Sequence, residues 1–318
     1  MNPDGFLADV LDEPRTLAHL ADHADPAPLR DAIAQARLVV LTGMGSSRFA
    51  ALTAAARLRA QGVAAVVEYA STDLPTKPAP DVLAIGISAT GTSAETVAAL
   101  ERHHGTSRTI AITNADDGGR LGALADRTVA LHAGPETGGV ACKTFRATLA
   151  LLLLAAGADR ASLARAADAQ QVLLDARGDW VDPLLDALDP GRTTYAIAPA
   201  SRISSSLQSA LMLREGPRVP ADATETGDWS HVDVYLTKHP NYTALLYPGS
   251  PYDAEALDWL RERRSTYISI GRAIPGAALH IPFPHADDDL VAALVDVTVA
   301  ELAAATWWRR RLDSDAMP

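Results

Sequence analysis

Short runs of β-branched and aliphatic residues recur through the first half of the chain: LVVLTG (38–43), AVVEYA (65–70), VLAIGIS (82–88), TIAITN (109–114) and RTVALHA (127–133). Each is nearly continuous in apolar character rather than alternating, as strands buried on both faces are. Between them Ser46 to Gln61, Ala94 to His104, Gly119 to Ala125 and Val140 to Ala156 are long enough to serve as helical crossovers. The pattern predicts an α/β fold with a doubly wound parallel sheet.

A second series follows, with strands predicted at TTYAIAP (193–199), TALLYP (243–248), STYISIG (265–271) and ALHIPFP (278–284), and helices at Arg202 to Glu215, Asp253 to Arg264 and Asp287 to Arg311. Sliding the chain by 154 residues pairs Ser47 with Ser201, Arg48 with Arg202, Ala56 with Ala210, Gly62 with Gly216 and Thr72 with Thr226. The repeated strand order supports a duplication more than these identities do. The expected organisation is an N-terminal helical segment (1–30), a first doubly wound domain (31–160), a helical linker (161–190) and a second such domain (191–318), both flavodoxin-like. A length of 318 residues accommodates two domains of about 150 each.

Charge narrows the partners. A net charge of −11 argues against broad electrostatic binding to nucleic acid or to anionic membranes, which need a basic footprint. An anionic ligand would have to be held by local dipoles. One cysteine, Cys142, cannot form an internal disulfide, and the opening MNPDGFLADVLDEP has no secretory pattern, so a cytoplasmic location is expected. The longest apolar run, Ala147 to Ala158, is shorter than the ~20 residues of a membrane span and reads as a buried helix.

Two turns could carry chemistry. Thr42-Gly43-Met44-Gly45-Ser46-Ser47 follows a strand and opens a helix, so its glycines allow close backbone approach while helix amides and hydroxyls face an anion. Arg48 stands where a dinucleotide motif has its third glycine, and no GK[ST] follows, which weakens the dinucleotide and P-loop readings. Ser88-Ala89-Thr90-Gly91-Thr92-Ser93 leaves a second buried strand in the same way. Two such turns at one sheet edge would converge on one crevice and could bind a phosphomonoester without a lysine. Two ordinary helix caps are the structural alternative.

These elements resemble the tandem SIS (sugar isomerase) domain family, which includes the isomerase half of glucosamine-6-phosphate synthase and stand-alone aminosugar-phosphate isomerases and deaminases. The resemblance runs over residues 30–300 and is carried by GMGSS, ISATGTSAET, ITN with LADRTVALHAGPETGGVACKTF, and ALMLREG with ADATETGDWSH. It implies that Ser47, Ser88, Thr90 and Ser93 hold a phosphate, with Ser46 and the Ala89 backbone beside them. It places the block Gly134 to Lys143 near the sugar, where Lys143 is either a ligand-facing or a solvated helix-end lysine; in the loop ETGDWSH, which gathers ionisable groups around Trp229, Glu225 and Asp228 are further polar candidates. Glu215 matches the base that moves a proton between sugar C1 and C2, and His231 the ring-opening histidine. Read without the resemblance, Glu215 is a helix-end carboxylate and His231 a loop histidine. Aldose–ketose exchange through an enediol requires such a carboxylate and such an acid/base.

The resemblance further implies a phosphorylated sugar ligand, a homodimer in which a neighbouring subunit completes the site, and no metal or organic cofactor. Departures from the family pattern shape the function. Met212 stands where the ammonia-transferring synthases have a lysine, and the tail TWWRRRLDSDAMP has no lysine, so glutamine-dependent synthesis is not expected. Ala89 and Thr92 replace the family's glutamine and glutamate, which loosens the inference about the sugar. The expected function is a phosphosugar isomerase or aminosugar-phosphate deaminase/isomerase; the alternatives are a catalytically lapsed sugar-phosphate sensor and a lyase on the same fold. His103, His104, His280 and His285 lack metal-site spacing, and Cys142 reads as a small buried residue.

Overall fold

The structure is a computed structural model that describes residues 1–239 and 241–315. Two compact units divide the chain. One, here the first unit, comprises Arg15–Pro135 and Lys143–Leu163; the second comprises Met1–Pro14, Glu136–Cys142 and the chain from Ala164. Residues 1–30 are helical as expected, in α1 (Pro3–His23) and the start of α2 (Ala27–Ala34). The boundary between units falls inside α1, so these residues do not form a separate body.

The first unit continues through β1 (Leu38–Gly43), α3 (Gly45–Ala60), β2 (Ala65–Tyr69), β3 (Val82–Ile87), α4 (Ala94–Glu101), β4 (Arg108–Thr113), α5 (Gly119–Leu124), β5 (Arg127–Ala130) and α6 (Lys143–Ala155). All strands pair in parallel in the order β2-β1-β3-β4-β5. The central strand β3 is buried at every position, which its unbroken VLAIGI pattern predicts. Gly86 within it is closely packed: an added Cβ would stand 3.1 Å from the Leu121 side chain on α5, which would have to give by a few tenths of an ångström. The leucine-rich run expected to be a core helix is α6, buried along its whole length.

The second unit holds α7 (Arg160–Asp175, whose first residues belong to the first unit), α8 (Arg177–Ala187), β6 (Thr194–Ala198), α9 (Ile203–Glu215), β7 (Ala221–Glu225), α10 (Thr226–Trp229), β8 (Thr243–Leu246), α11 (Asp253–Glu262), β9 (Thr266–Ile270), β10 (Leu279–Ile281), α12 (Asp289–Val295) and α13 (Thr298–Asp315). Its parallel sheet runs β7-β6-β8-β9-β10, the strand order of the first sheet over again. A cluster around Trp229, Tyr242 and Leu260 fills one face. Trp229 Nε1 donates to the Tyr242 hydroxyl at 2.8 Å, which satisfies the indole inside the core.

The structure corrects several local expectations. Strand β7 was not foreseen in ADATETG; it is an edge strand, largely half-exposed, and its Asp and Thr residues hide the apolar signature. The helix expected over Asp287 to Arg311 is two helices, broken at Asp296, whose buried carboxylate pairs with Arg202 instead of facing solvent. Strand β5 ends at Ala130 rather than 133. The apolar stretch Asp289–Leu312 has the length and hydropathy of a bilayer crossing, yet 89% of its apolar window is buried inside the protein, where it forms core.

Candidate functional site

Strand order fixes where a ligand can enter the first sheet. The chain passes from β1 outward to β2 and then crosses back to β3, so the switch point lies between β1 and β3. The two hydroxyl-rich turns leave the sheet on either side of this point. Gly43 and Ile87, the last residues of the two strands, are register partners. A Cβ on Gly43 would stand 3.0 Å from both the Ile87 carbonyl and the Ser47 Cβ, so glycine lets the turn hug its neighbour. Gly45, at φ +49°, then swings the chain into α3.

At the head of α3, Ser46 is buried and Ser47 half-buried, and no side chain caps the helix. Its first-turn amides therefore keep their donors for an anion. Arg48, in the same turn, lies with its guanidinium 3.9 Å from the centroid of Tyr69 at the end of β2. A cation at a helix N-terminus opposes the dipole, but beside an anion it has the right sign. Sequence reasoning used Arg48 as a departure from a dinucleotide motif and as a repeat partner of Arg202, and missed this placement.

The second turn is more heavily bonded. Ser88 is buried, and its amide donates to Ile112 O at 3.0 Å. Ala89 uses its carbonyl to accept from the Asn114 amide at 3.0 Å and the Thr113 hydroxyl at 3.2 Å, which pins the turn to β4. Thr90 is exposed, and its hydroxyl lies 2.7 Å from that of Thr92. Ser93 caps α4 by accepting from the Thr96 amide and donates its own hydroxyl proton to Glu95 at 3.1 Å. Gly91, at φ +65°, packs so closely on Gly118 that an added Cβ would stand 2.5 Å from its carbonyl oxygen. Lys143, the remaining candidate in this unit, is 3% exposed at the head of α6, so it is no solvated helix-end lysine.

In the second unit, Glu215 ends α9 as a half-buried carboxylate. Burial raises its pKa above the ordinary 4.5, and the negative charge of Glu136 raises it further. Glu136 arrives on the segment Glu136–Cys142, where its Oε1 accepts from the Cys142 amide at 2.7 Å. Gln208 on α9 donates to Ala141 O at 2.8 Å and so ties the helix to that segment. With Glu136 and Glu215 79 positions apart in sequence, no local pattern could have revealed their coupling.

The other two candidates of this unit differ in engagement. Glu225 ends β7 and uses its Oε2 to accept from the Gly227 and Asp228 amides at 2.8 and 2.9 Å, so it caps α10. His231 follows α10 and is exposed, anchored by its amide donating to Asp228 O at 2.9 Å. No hydrogen bond joins His231 to Glu215 among the described residues. The phosphate candidates thus belong to the first unit, and Glu215, Glu225 and His231 to the second.

A doubly wound α/β protein with glycine-rich, hydroxyl-bearing turns flanking its switch point is the class this geometry defines. Comparison with known proteins narrows it: residues 32–158 match the SIS domain family, and the chain therefore carries a SIS domain. A glutamine–fructose-6-phosphate aminotransferase (isomerizing) from Pyrobaculum aerophilum is 30% identical over 257 residues, a match covering 74% of this chain and 42% of that protein. The chain thus matches less than half the length of that relative. Among solved structures, the C-terminal domain of glucosamine-fructose-6-phosphate aminotransferase from Francisella tularensis superposes with a TM-score of 0.82 at 18% identity, covering 96% of each chain. A tagatose-6-phosphate ketose/aldose isomerase from Escherichia coli gives 0.81 at 18% identity, with 96% of this chain and 93% of that one covered. At such identities these structures establish the fold, and they do so across both parallel sheets.

Proposed function

We propose that this chain is a phosphosugar isomerase or aminosugar-phosphate deaminase/isomerase, acting on a ketose or 2-aminosugar 6-phosphate. One observation carries the reading. Two hydroxyl turns flank the switch point of the first sheet, with the open head of α3 on one side and the exposed Thr90 on the other. Neutral donors on a helix N-terminus bind a phosphomonoester in an acidic protein without a lysine pocket. The names of the similar proteins, an isomerizing aminotransferase and a ketose/aldose isomerase, support the same substrate class.

The chemistry assigned to the second unit follows from Glu215. As a carboxylate it would take the proton from the carbon next to the carbonyl of the open-chain sugar, leaving an enediolate, and return it to the neighbouring carbon while a second proton passes between the two oxygens. No atoms are gained or lost in isomerisation; with a 2-amino group, water adds to the resulting imine and ammonia leaves. Burial and the Glu136 charge raise the basicity of Glu215, which suits a base that must abstract a weakly acidic proton. His231 would open the ring. Its exposure fits a histidine that completes the site of a neighbouring subunit in a homodimer.

Proton NMR in deuterated water, with a panel of ketose and 2-aminosugar 6-phosphates, tests the proposal. Loss of the C1 or C2 proton signal is the expected result, slowed by about 10²- to 10⁴-fold in Glu215→Gln. Undiminished exchange in that variant would remove the mechanism. The buried Met212, three residues before Glu215 where the synthases have a lysine, favours a second reading as a ligand sensor. Ligand-induced shifts without exchange would establish that reading instead.

A further inference from the structure

The second unit has a cleft that the proposed chemistry does not use. It measures about 540 Å³ and lies among the end of α8 with the turn after it, the turn after α9, and the last turns of α13. Three guanidinium groups line it, Arg218, Arg310 and Arg311, beside an apolar wall of Leu185, Val219 and Trp307. In a chain of net charge −11 this is a local concentration of cations. They are unequally engaged. Arg310 pairs with Asp182 at 2.7 Å, both groups largely exposed, and Arg311 spends one Nη1 donor on Pro217 O at 3.0 Å. Arg218 makes no hydrogen bond or ion pair among the described residues.

The backbone at Arg218 adds a second observation. Its φ is +58°, in the left-handed region, where a long side chain is disfavoured and glycine or asparagine is at ease. The turn does not need arginine: α9 is already closed by the Gly216 amide donating to Met212 O and the Val219 amide donating to Leu213 O. A strained backbone position that carries an unengaged cation into a cleft is the kind of feature that serves a ligand.

We propose that this cleft binds an organic phosphate of the nucleotide class. Arg218 and the free donors of Arg311 take the phosphate, because planar guanidinium forks match its oxygens in pairs. The planar base lies on the wall of Trp307, Val219 and Leu185. Inorganic phosphate would leave the small apolar edge that Trp307 (7% exposed), Val219 (4%) and Leu185 (5%) present to the cleft without a partner, and an uncharged nucleoside would leave the cations without one. The volume falls within the range of small-molecule sites.

Calorimetry on the full chain with AMP, GMP, CMP and UMP, against inorganic phosphate and adenosine, tests the inference. At least one nucleotide is expected to bind saturably at one site per chain, with inorganic phosphate and adenosine about tenfold weaker or more. Arg218→Gly is expected to weaken that nucleotide at least about tenfold without lowering the thermal midpoint, since glycine relieves the backbone. Arg218→Asn, which also tolerates this conformation, provides the same reading should glycine loosen the turn. Absence of saturable binding by all four nucleotides, or equal affinity in both Arg218 variants, would overturn the site. Because the readout is binding of nucleotides, it stands or falls separately from the isomerase reading.

Discussion

At the scale of single residues, the turn glycines and the base carry the sharpest expectations. Gly91→Ala places a Cβ against the Gly118 carbonyl in a left-handed conformation, so the variant should lose about 1–3 kcal/mol of stability in denaturant titrations and bind phosphosugar more weakly. Glu215 ties stability to pH. Its raised pKa means that the folded state holds the proton better than the unfolded one, so its contribution favours folding in acid and is lost as pH rises from 4.5 through the folded value. Glu215→Gln should therefore have a thermal midpoint at neutral pH equal to or above that of the parent, with the difference vanishing near pH 4. A midpoint lowered at neutral pH alone would contradict the assigned direction. Of these residues, the serines and Thr90 were legible because hydroxyls after a buried strand form a local pattern. The pressure of Glu136 on Glu215 was not, because it exists only once the segment around Ala141 is tied to Gln208.

At the scale of elements, the two sheets share an order but not a crevice. At the switch point of the second sheet, between β6 and β8, Arg202 fills the position that offset pairing matches to Arg48. It donates to Asp296 and to Pro248 O, both at 2.5 Å, and is 1% exposed. Asp253 meanwhile accepts from the Gly249 and Ser250 amides at 2.6 and 3.1 Å, so a carboxylate of the chain itself occupies the backbone donors of that turn. One phosphosugar per chain is the expected calorimetric stoichiometry. Burial pushes the Asp296 carboxyl up to about 6 despite Arg202, which shows how heavily desolvated the pair is. Arg202→Met should cost about 3–5 kcal/mol by stranding a buried carboxylate, and adding Asp296→Leu should recover most of it. Among the described residues, nine of the ten strands and the helices other than the short α10 were legible from periodicity. Strand β7 and the break at Asp296 were not: the first is an edge, and the second depends on a partner 94 residues away.

At the scale of the whole molecule, the repeat in sequence predicted two successive domains, and the repeat of strand order is present. The compact units nevertheless interleave along the chain. The second unit borrows Met1–Pro14 and Glu136–Cys142, and its borrowed pieces are bonded within it: Asp9 accepts from the Gly138 amide at 2.7 Å, and Phe6 meets Trp308 with ring centroids 6.3 Å apart. Composition gives no hint of such exchange, because each borrowed piece is short and its partners are distant. A fragment spanning 161–318 alone is expected to lack cooperative unfolding in circular dichroism, and mixing in a peptide of residues 1–14 should not suffice to restore it, since the 136–142 piece is also missing.

This interleaving has a temporal side. Phe6 precedes Trp308 in the order of synthesis and Gly138 comes between them, so Asp9 gains its partner on the 136–142 segment well before Phe6 can meet Trp308. The first unit, whose pieces are complete once Leu163 has emerged, can fold while translation proceeds. The second unit waits for the chain from Ala164, and until then Met1–Pro14 has only the Glu136–Cys142 segment of its own unit to bond with.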